Sequence, residues 1–212
     1  SNARGGDPGS QSTADTQAYV FLGKIPNWND AALKTDNPSL SLPDKDIVVV
    51  HRSDGSGTTS IFTDYLDNAN ADWKGQVGKG KDVKWPVGIG GKGNEGVGGQ
   101  VSQTDGSIGY VELAYATQNK QSTASLRNKA GKFVDATVDS TTAAVAGAAS
   151  KLPDDLRGSI VNADGDGVYP IAGLTYLLVY KDQKDQAKGQ ALVAFMDWAL
   201  HNGSSYARDL QY

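Results

Sequence analysis

The stretch Ile47–Leu66, IVVVHRSDGSGTTSIFTDYL, decides how the rest of the chain is read. Ile47 to Val50 read as a short buried strand. A helix follows from about Thr58 to Asn68, because Ile61, Phe62, Tyr65 and Leu66 recur at i, i+1, i+4 and i+5 and make one apolar face. Between them, Arg52 to Thr59 hold one arginine, one aspartate, four hydroxyls and two glycines. In open α/β sheets ligands bind beyond the carboxyl ends of strands, at the helix N-termini that follow. There the first turn leaves four N–H groups unpaired and carries partial positive charge.

Each residue of this junction has a use in holding an anion. Gly55 and Gly57 let backbone N–H groups face a ligand with no Cβ in the way, and Ser53, Ser56 and Thr58 offer hydroxyl donors. Arg52 supplies a planar fork suited to an oxyanion. Asp54 fits if it pairs with Arg52 and holds the guanidinium in place. With each charge-assisted hydrogen bond worth roughly 1.5–3 kcal/mol, four or five hold a tetrahedral dianion at micromolar strength. The same residues also make a sound N-cap without any ligand, so local chemistry alone leaves both readings open.

Outward from the junction, helix and strand alternate. ADTQAYVFLGKI reads as a helix capped by Asp15 and stopped at Gly23, and NPSLSLPDKD as a loop. DVKWPVGI reads as a strand ending at Pro86, SIGYVELAYATQN as a strand turning into a helix, and TTAAVAGAASKL as a helix closed by Pro153. LTYLLVY, Leu174 to Tyr180, carries the strongest strand signal. AKGQALVAFMDWALHNG is an amphipathic helix with Leu192, Phe195, Met196, Ala199 and Leu200 on one face and a stop at Gly203. These elements predict an α/β fold with a mixed sheet flanked by helices.

Composition narrows the chemistry. The 212 residues include no cysteine, which excludes disulfides, thiolate zinc sites and a cysteine nucleophile. Two histidines, His51 and His201, leave little for a histidine metal site, and a net charge of −4 without a basic face argues against nucleic acid as a partner. No apolar run approaches the roughly 20 residues that span a membrane. SNA at the start reads as a cloning remnant, and residues 1–17 as tag and flexible lead-in.

VVVHRSDGSGTTSIFTDYL closely resembles the phosphate-binding proteins that serve Pst-type ABC phosphate importers. FLGKIPNWND, WPVGIGGKGNEGV, GSIGYVELAYATQN, YPIAGLTYLLVYKDQ and FMDWALHNG match the same family in order, so the likeness covers about Tyr19 to Tyr212. It implies a periplasmic-binding-protein-like (type II) fold of two lobes with phosphate between them. Carried over residue by residue, it implies that Arg52, Ser56, Gly57 and Thr58 contact phosphate, with Asp54 salt-linked to Arg52 and Ser53 and Gly55 in support. It further implies a phosphate-binding lobe over residues 18–166 and a return segment over 167–212 belonging to an incomplete second lobe. The partners implied are inorganic phosphate, an ABC permease, and either the missing first lobe or a second copy of the chain. Neither a metal nor an organic cofactor is implied, and the expected location is extracytoplasmic: periplasmic, or extracellular and membrane-anchored.

Other signals carry less. GIGGKG, Gly88 to Gly93, fits G-x-G-x-x-G without the βαβ unit and acidic partner of a dinucleotide site, and close backbone packing explains it better. NADGDG, Asn162 to Gly167, has Gly173 where a calcium loop needs glutamate, so it reads as a turn. His51 beside the hydroxyls raises a hydrolase reading, but neighbouring side chains on a strand alternate faces, which turns His51 away from Arg52. No catalytic residue is assigned.

Overall fold

A computed structural model describes residues 9–155 and 157–211, and its contacts divide the chain into two units after Gly173. Within the first, Gln11–Ser12 form β1 and Ala14–Phe21 form α1, so residues 9–17, read as lead-in, already carry structure; residues 1–8 of that lead-in lie outside the described residues. Thr13, not Asp15, caps α1. Its side chain accepts the Thr16 N–H while the Thr16 hydroxyl oxygen accepts the Thr13 N–H at 2.9 Å. Asp15 sits inside the first turn, where a carboxylate suits the positive helix end, and it accepts a hydrogen bond from Asn70 Nδ2 at 2.8 Å. Gly23, at φ +73°, ends the helix as expected.

After α2 (Ala31–Asp36), three strand–helix units follow. They are β2 (Val48–Arg52) with α3 (Gly57–Ala69) and the short α4 (Ala71–Gln76), β3 (Ile89–Gly91) with α5 (Gly93–Gln103), and β4 (Ser107–Gly109) with α6 (Leu113–Gln118). The three strands form a parallel sheet in the order β3-β2-β4, with Arg52 opposite Gly91 and Val49 opposite Ile108. The strand expected over DVKWPVGI lies further on: pairing starts at Ile89, because Pro86 has no N–H for a ladder and Gly88 turns the chain at φ +109°. Trp85 packs against the main core instead.

A second sheet holds β1, β5 (Ser125–Arg127) and β6 (Phe133–Val134), with β1·β5 parallel and β5·β6 antiparallel. The described residues thus form two sheets, one wholly parallel and one mixed as expected from the sequence. The alanine-rich helix is α7 (Val138–Ala148), capped by Thr137 and prolonged by a 3-10 turn over Ala149–Lys151. Residues 162–167 form a turn gripped by Asn128, whose Nδ2 donates to the carbonyls of Gly165, Asp166 and Val168. Among the described residues no cluster of side chains could hold a metal ion. The core joins Phe21, Phe62, Tyr65, Leu66 and Trp73, packing α1, α3 and α4 together under the parallel sheet.

The second unit begins at Leu174. Its strand signal fails: Leu174 to Tyr180 are not paired with any strand among the described residues, and Leu178 is 94% exposed. A strand is held by hydrogen bonds to a neighbour, and apolar content cannot replace them. The amphipathic helix is present as α8 (Gln186–His201), capped by Asp185, and α9 (Ser204–Asp209) follows Gly203. On its apolar face Leu192, Met196 and Ala199 are half-buried, while Phe195 and Leu200 are exposed. No helix of the described residues is long and apolar enough to cross a membrane.

Candidate anion-binding site

The order β3-β2-β4 places consecutive strands on opposite sides of β2, so the carboxyl end of β2 lies at a topological switch point, the place where open α/β sheets bind ligands. Arg52 is the last residue of that strand. Its Nε donates to Asp54 Oδ1 at 2.8 Å and its Nη2 to Asp54 Oδ2 at 2.7 Å, a bidentate pair that uses two of the five guanidinium N–H bonds. Asp54 Oδ1 also accepts the N–H of Gly93, the first residue of α5, at 3.1 Å. The Arg52 guanidinium first, then the Gly93 N–H, hold the Asp54 carboxyl well below its ordinary value of 3.8. Asp54 in turn pushes the Arg52 guanidinium up. The arginine is therefore fixed and charged, with no further side-chain partner among the described residues.

Helix α3 supplies the second group of donors. Ser56 caps it: the Ser56 Oγ accepts the Thr59 N–H at 3.2 Å, and the Ser56 carbonyl accepts the Ser60 N–H at 3.0 Å. The loop before it is anchored where the Ser56 N–H donates to the Lys81 carbonyl at 2.9 Å. The Ser56 hydroxyl hydrogen is not used by this cap. The N–H groups of Gly57 and Thr58 belong to the first turn, which a helix cannot satisfy internally. A Cβ placed on Gly55 or Gly57 would meet nothing within 4 Å. Among the described residues nothing crowds these two positions, and both glycines are exposed.

Tyr110, just past β4, was not singled out in the sequence. Its hydroxyl accepts the Arg52 N–H at 3.1 Å and shares a hydrogen bond of 2.7 Å with Thr59 Oγ1. Burial pushes that hydroxyl's pKa up, so it stays a neutral phenol. Glu112, the N-cap residue of α6, takes the Thr58 hydroxyl at 3.4 Å. Tyr110 and Glu112 are legible in retrospect as the residues beyond the carboxyl end of a strand next to β2. Ser53 is exposed and donates its N–H to the Gly91 carbonyl at 3.0 Å, continuing the β2–β3 pairing.

His51 engages other groups. Its Nδ1 lies 3.0 Å from the Arg52 carbonyl, and its ring stacks on Trp85 with centroids 4.9 Å apart. The Ser56 Oγ accepts the Thr59 N–H, and His51 engages the Arg52 carbonyl and Trp85. Around GIGGKG, a Cβ on Gly91 would lie 2.6 Å from the Gly96 carbonyl carbon, so close contact of β3 with α5 accounts for Gly91, while a Cβ on Gly88 would lie 2.6 Å from the Val49 carbonyl oxygen.

This architecture, a parallel sheet with helix N-termini gathered at one edge, is shared with known proteins. The chain matches the PBP superfamily domain over residues 2–202 and belongs to that family. More particularly, it is 48% identical over 200 residues to the phosphate-binding protein PstS of Xylella fastidiosa, and 40% identical over 215 residues to the protein of that name in Methanocaldococcus jannaschii. Those alignments cover 94% and 93% of this chain and 55% of each relative, so the chain spans about half the length of the curated relatives it matches. The solved structure of a human phosphate binding apolipoprotein superposes with a TM-score of 0.70 at 17% identity, over 99% of this chain and 64% of that one. At that identity the likeness concerns the fold.

Proposed function

We propose that this chain carries a phosphate-contacting lobe of a substrate-binding protein for an ABC phosphate importer. Arg52, the Ser56 hydroxyl and the N–H groups of Gly57 and Thr58 hold the ligand, and Asp54 keeps the guanidinium aimed. The observation that carries the reading is the meeting, at one sheet edge, of a fixed arginine fork and an open, glycine-flanked helix N-terminus. The names of the 48% and 40% identical relatives support phosphate as the anion. The protein works outside the cytoplasm, releases its ligand unchanged, and delivers it to a membrane permease. The lobe covers residues 18–166, with 167–212 a return segment of the other lobe.

Calorimetric titration with phosphate at low salt, with sulfate as the control, tests this. A saturable phosphate signal that weakens as salt is raised, and weakens at least about tenfold in Arg52→Ala, is expected. Equal binding by Arg52→Ala and the parent chain would show that the site lies elsewhere.

A second reading, that the chain acts through association with another polypeptide, is favoured by the exposure of Leu177 at 73%, Leu178 at 94% and Leu200 at 77%. The polypeptide is the other lobe or a second copy of the chain. Sedimentation over a range of concentrations distinguishes the two, since only a second copy gives a mass that rises with concentration.

A further inference from the structure

We propose that the Tyr110 hydroxyl is a positioning group for the anion site, tying the strand-borne donor Arg52 to the helix-borne donors at Ser56–Thr58. The inference rests on the phosphate-binding reading above. Arg52 ends β2, whereas Ser56, Gly57 and Thr58 open α3, and only Ser53, Asp54 and Gly55 join them. Ser53 and Gly55 are exposed, and the linker's hydrogen bonds run to Gly91 and Gly93 on one side and Lys81 on the other, so none of them joins the Arg52 end of β2 directly to the first turn of α3. Tyr110 spans the gap through its oxygen. On one side it accepts the Arg52 N–H at 3.1 Å, and on the other it is bonded to Thr59 Oγ1 at 2.7 Å. Thr59 in turn gives its N–H to the Ser56 Oγ.

The hydroxyl is suited to this task because the ring beneath it cannot shift. Tyr110 is 4% exposed, stacked on Phe62 at 4.5 Å and on Trp85 at 5.7 Å between centroids. Its two hydrogen bonds run to groups of the chain on either side, which is the arrangement of a group that positions donors. Donors already in place need no reorganisation when an anion arrives, which is the physical gain from such a tie.

Tyr110→Phe in the 212-residue chain keeps the ring and removes the tie. The variant is expected to unfold within a few degrees of the parent, to exchange its Arg52 amide hydrogen at least about tenfold faster, and to bind phosphate about tenfold more weakly. Thr59→Val cuts the same link from the helix side, so the double variant should be no weaker than either single one. Tyr65→Phe, another buried tyrosine in the core, should change neither readout. Parent-like exchange at Arg52 in Tyr110→Phe overturns the proposal, and so do additive losses in the double variant. An affinity loss without faster exchange overturns it too, because the hydroxyl would then act on the ligand directly. If the parent chain binds no phosphate, the functional reading fails, while amide exchange at Arg52 still decides whether the tie exists. Should Tyr110→Phe not fold, Thr59→Val, which leaves the Arg52 N–H on the Tyr110 hydroxyl and cuts only the helix side, is read by phosphate affinity alone, and parent-like affinity there overturns the proposal.

Discussion

Val49 and Val50 of β2 are 3% and 0% exposed, whereas Leu177 and Leu178, in an apolar run of greater length, are 73% and 94% exposed. The first run lies between two strands that complete its hydrogen bonds, and α5 closes over it with Val97 and Val101. The second run has no strand beside it among the described residues. Apolar content of similar strength therefore produced a sheet centre in one place and open chain in the other. What separates them is the supply of backbone partners, since buried N–H and C=O groups must be paired before apolar burial can stabilise a strand. The comparison also bears on the site: its donors follow the strand that is paired on both sides.

The contrast can be broken most forcefully through the core of the first unit. Trp73 is fully buried and donates its Nε1–H to the Gly78 carbonyl. Trp73→Ala is expected to cost about 3–5 kcal/mol by denaturant unfolding. A loss under about 1 kcal/mol would show that this region is packed no better than residues 174–180. Arg52→Ala comes next, with a loss of phosphate affinity of about 1.5–3 kcal/mol in calorimetric titration, ten- to a hundredfold or more. Ser56→Ala removes both a cap and a ligand donor; about 1 kcal/mol of stability is expected to go, together with part of the phosphate affinity, by thermal melting and titration.

Leu178→Ser sharpens the contrast from the other side: at 94% exposure it should change stability by less than about 0.5 kcal/mol, and a larger loss would mean that the segment is covered in solution. The smallest effect expected is that of mild acid. The folded-state pKa of Asp54 lies below its ordinary 3.8, so the stability from its pairing with Arg52 is complete above 3.8 and is lost only as pH falls through the depressed value. A carboxyl titration followed by NMR should show no change at Asp54 from about pH 7 to pH 5.

The candidate site was readable at the level of residue types. Arg52, Asp54, Ser56, Gly57 and Thr58 all sit in one sequence-local turn between a strand and a helix, and their local geometry, the ion pair and the cap, is contained within eight residues. Tyr110 was not readable. It lies 58 residues from Arg52, and nothing in SIGYVE announces that its hydroxyl meets β2 and α3. The cap of α1 was misplaced by two residues because Asp15 and Thr13 are both good capping types, and the choice between them depends on backbone conformation. The strand near Trp85 begins later than its apolar run suggests, because Pro86 has no ladder N–H and Gly88 turns the chain.

By itself the sequence determined the parts whose causes are local: the short buried strand before Arg52, the apolar face of α3, the amphipathic α8, and the crowd of donors at one strand-to-helix junction. Only the tertiary structure decided which apolar run found partners, that the sheets are two, and that a tyrosine from β4's end joins the two halves of the donor cluster. The reason is physical. Helix periodicity and turn chemistry act within a few residues, whereas strand pairing and cross-chain hydrogen bonds exist only once distant segments have been brought together.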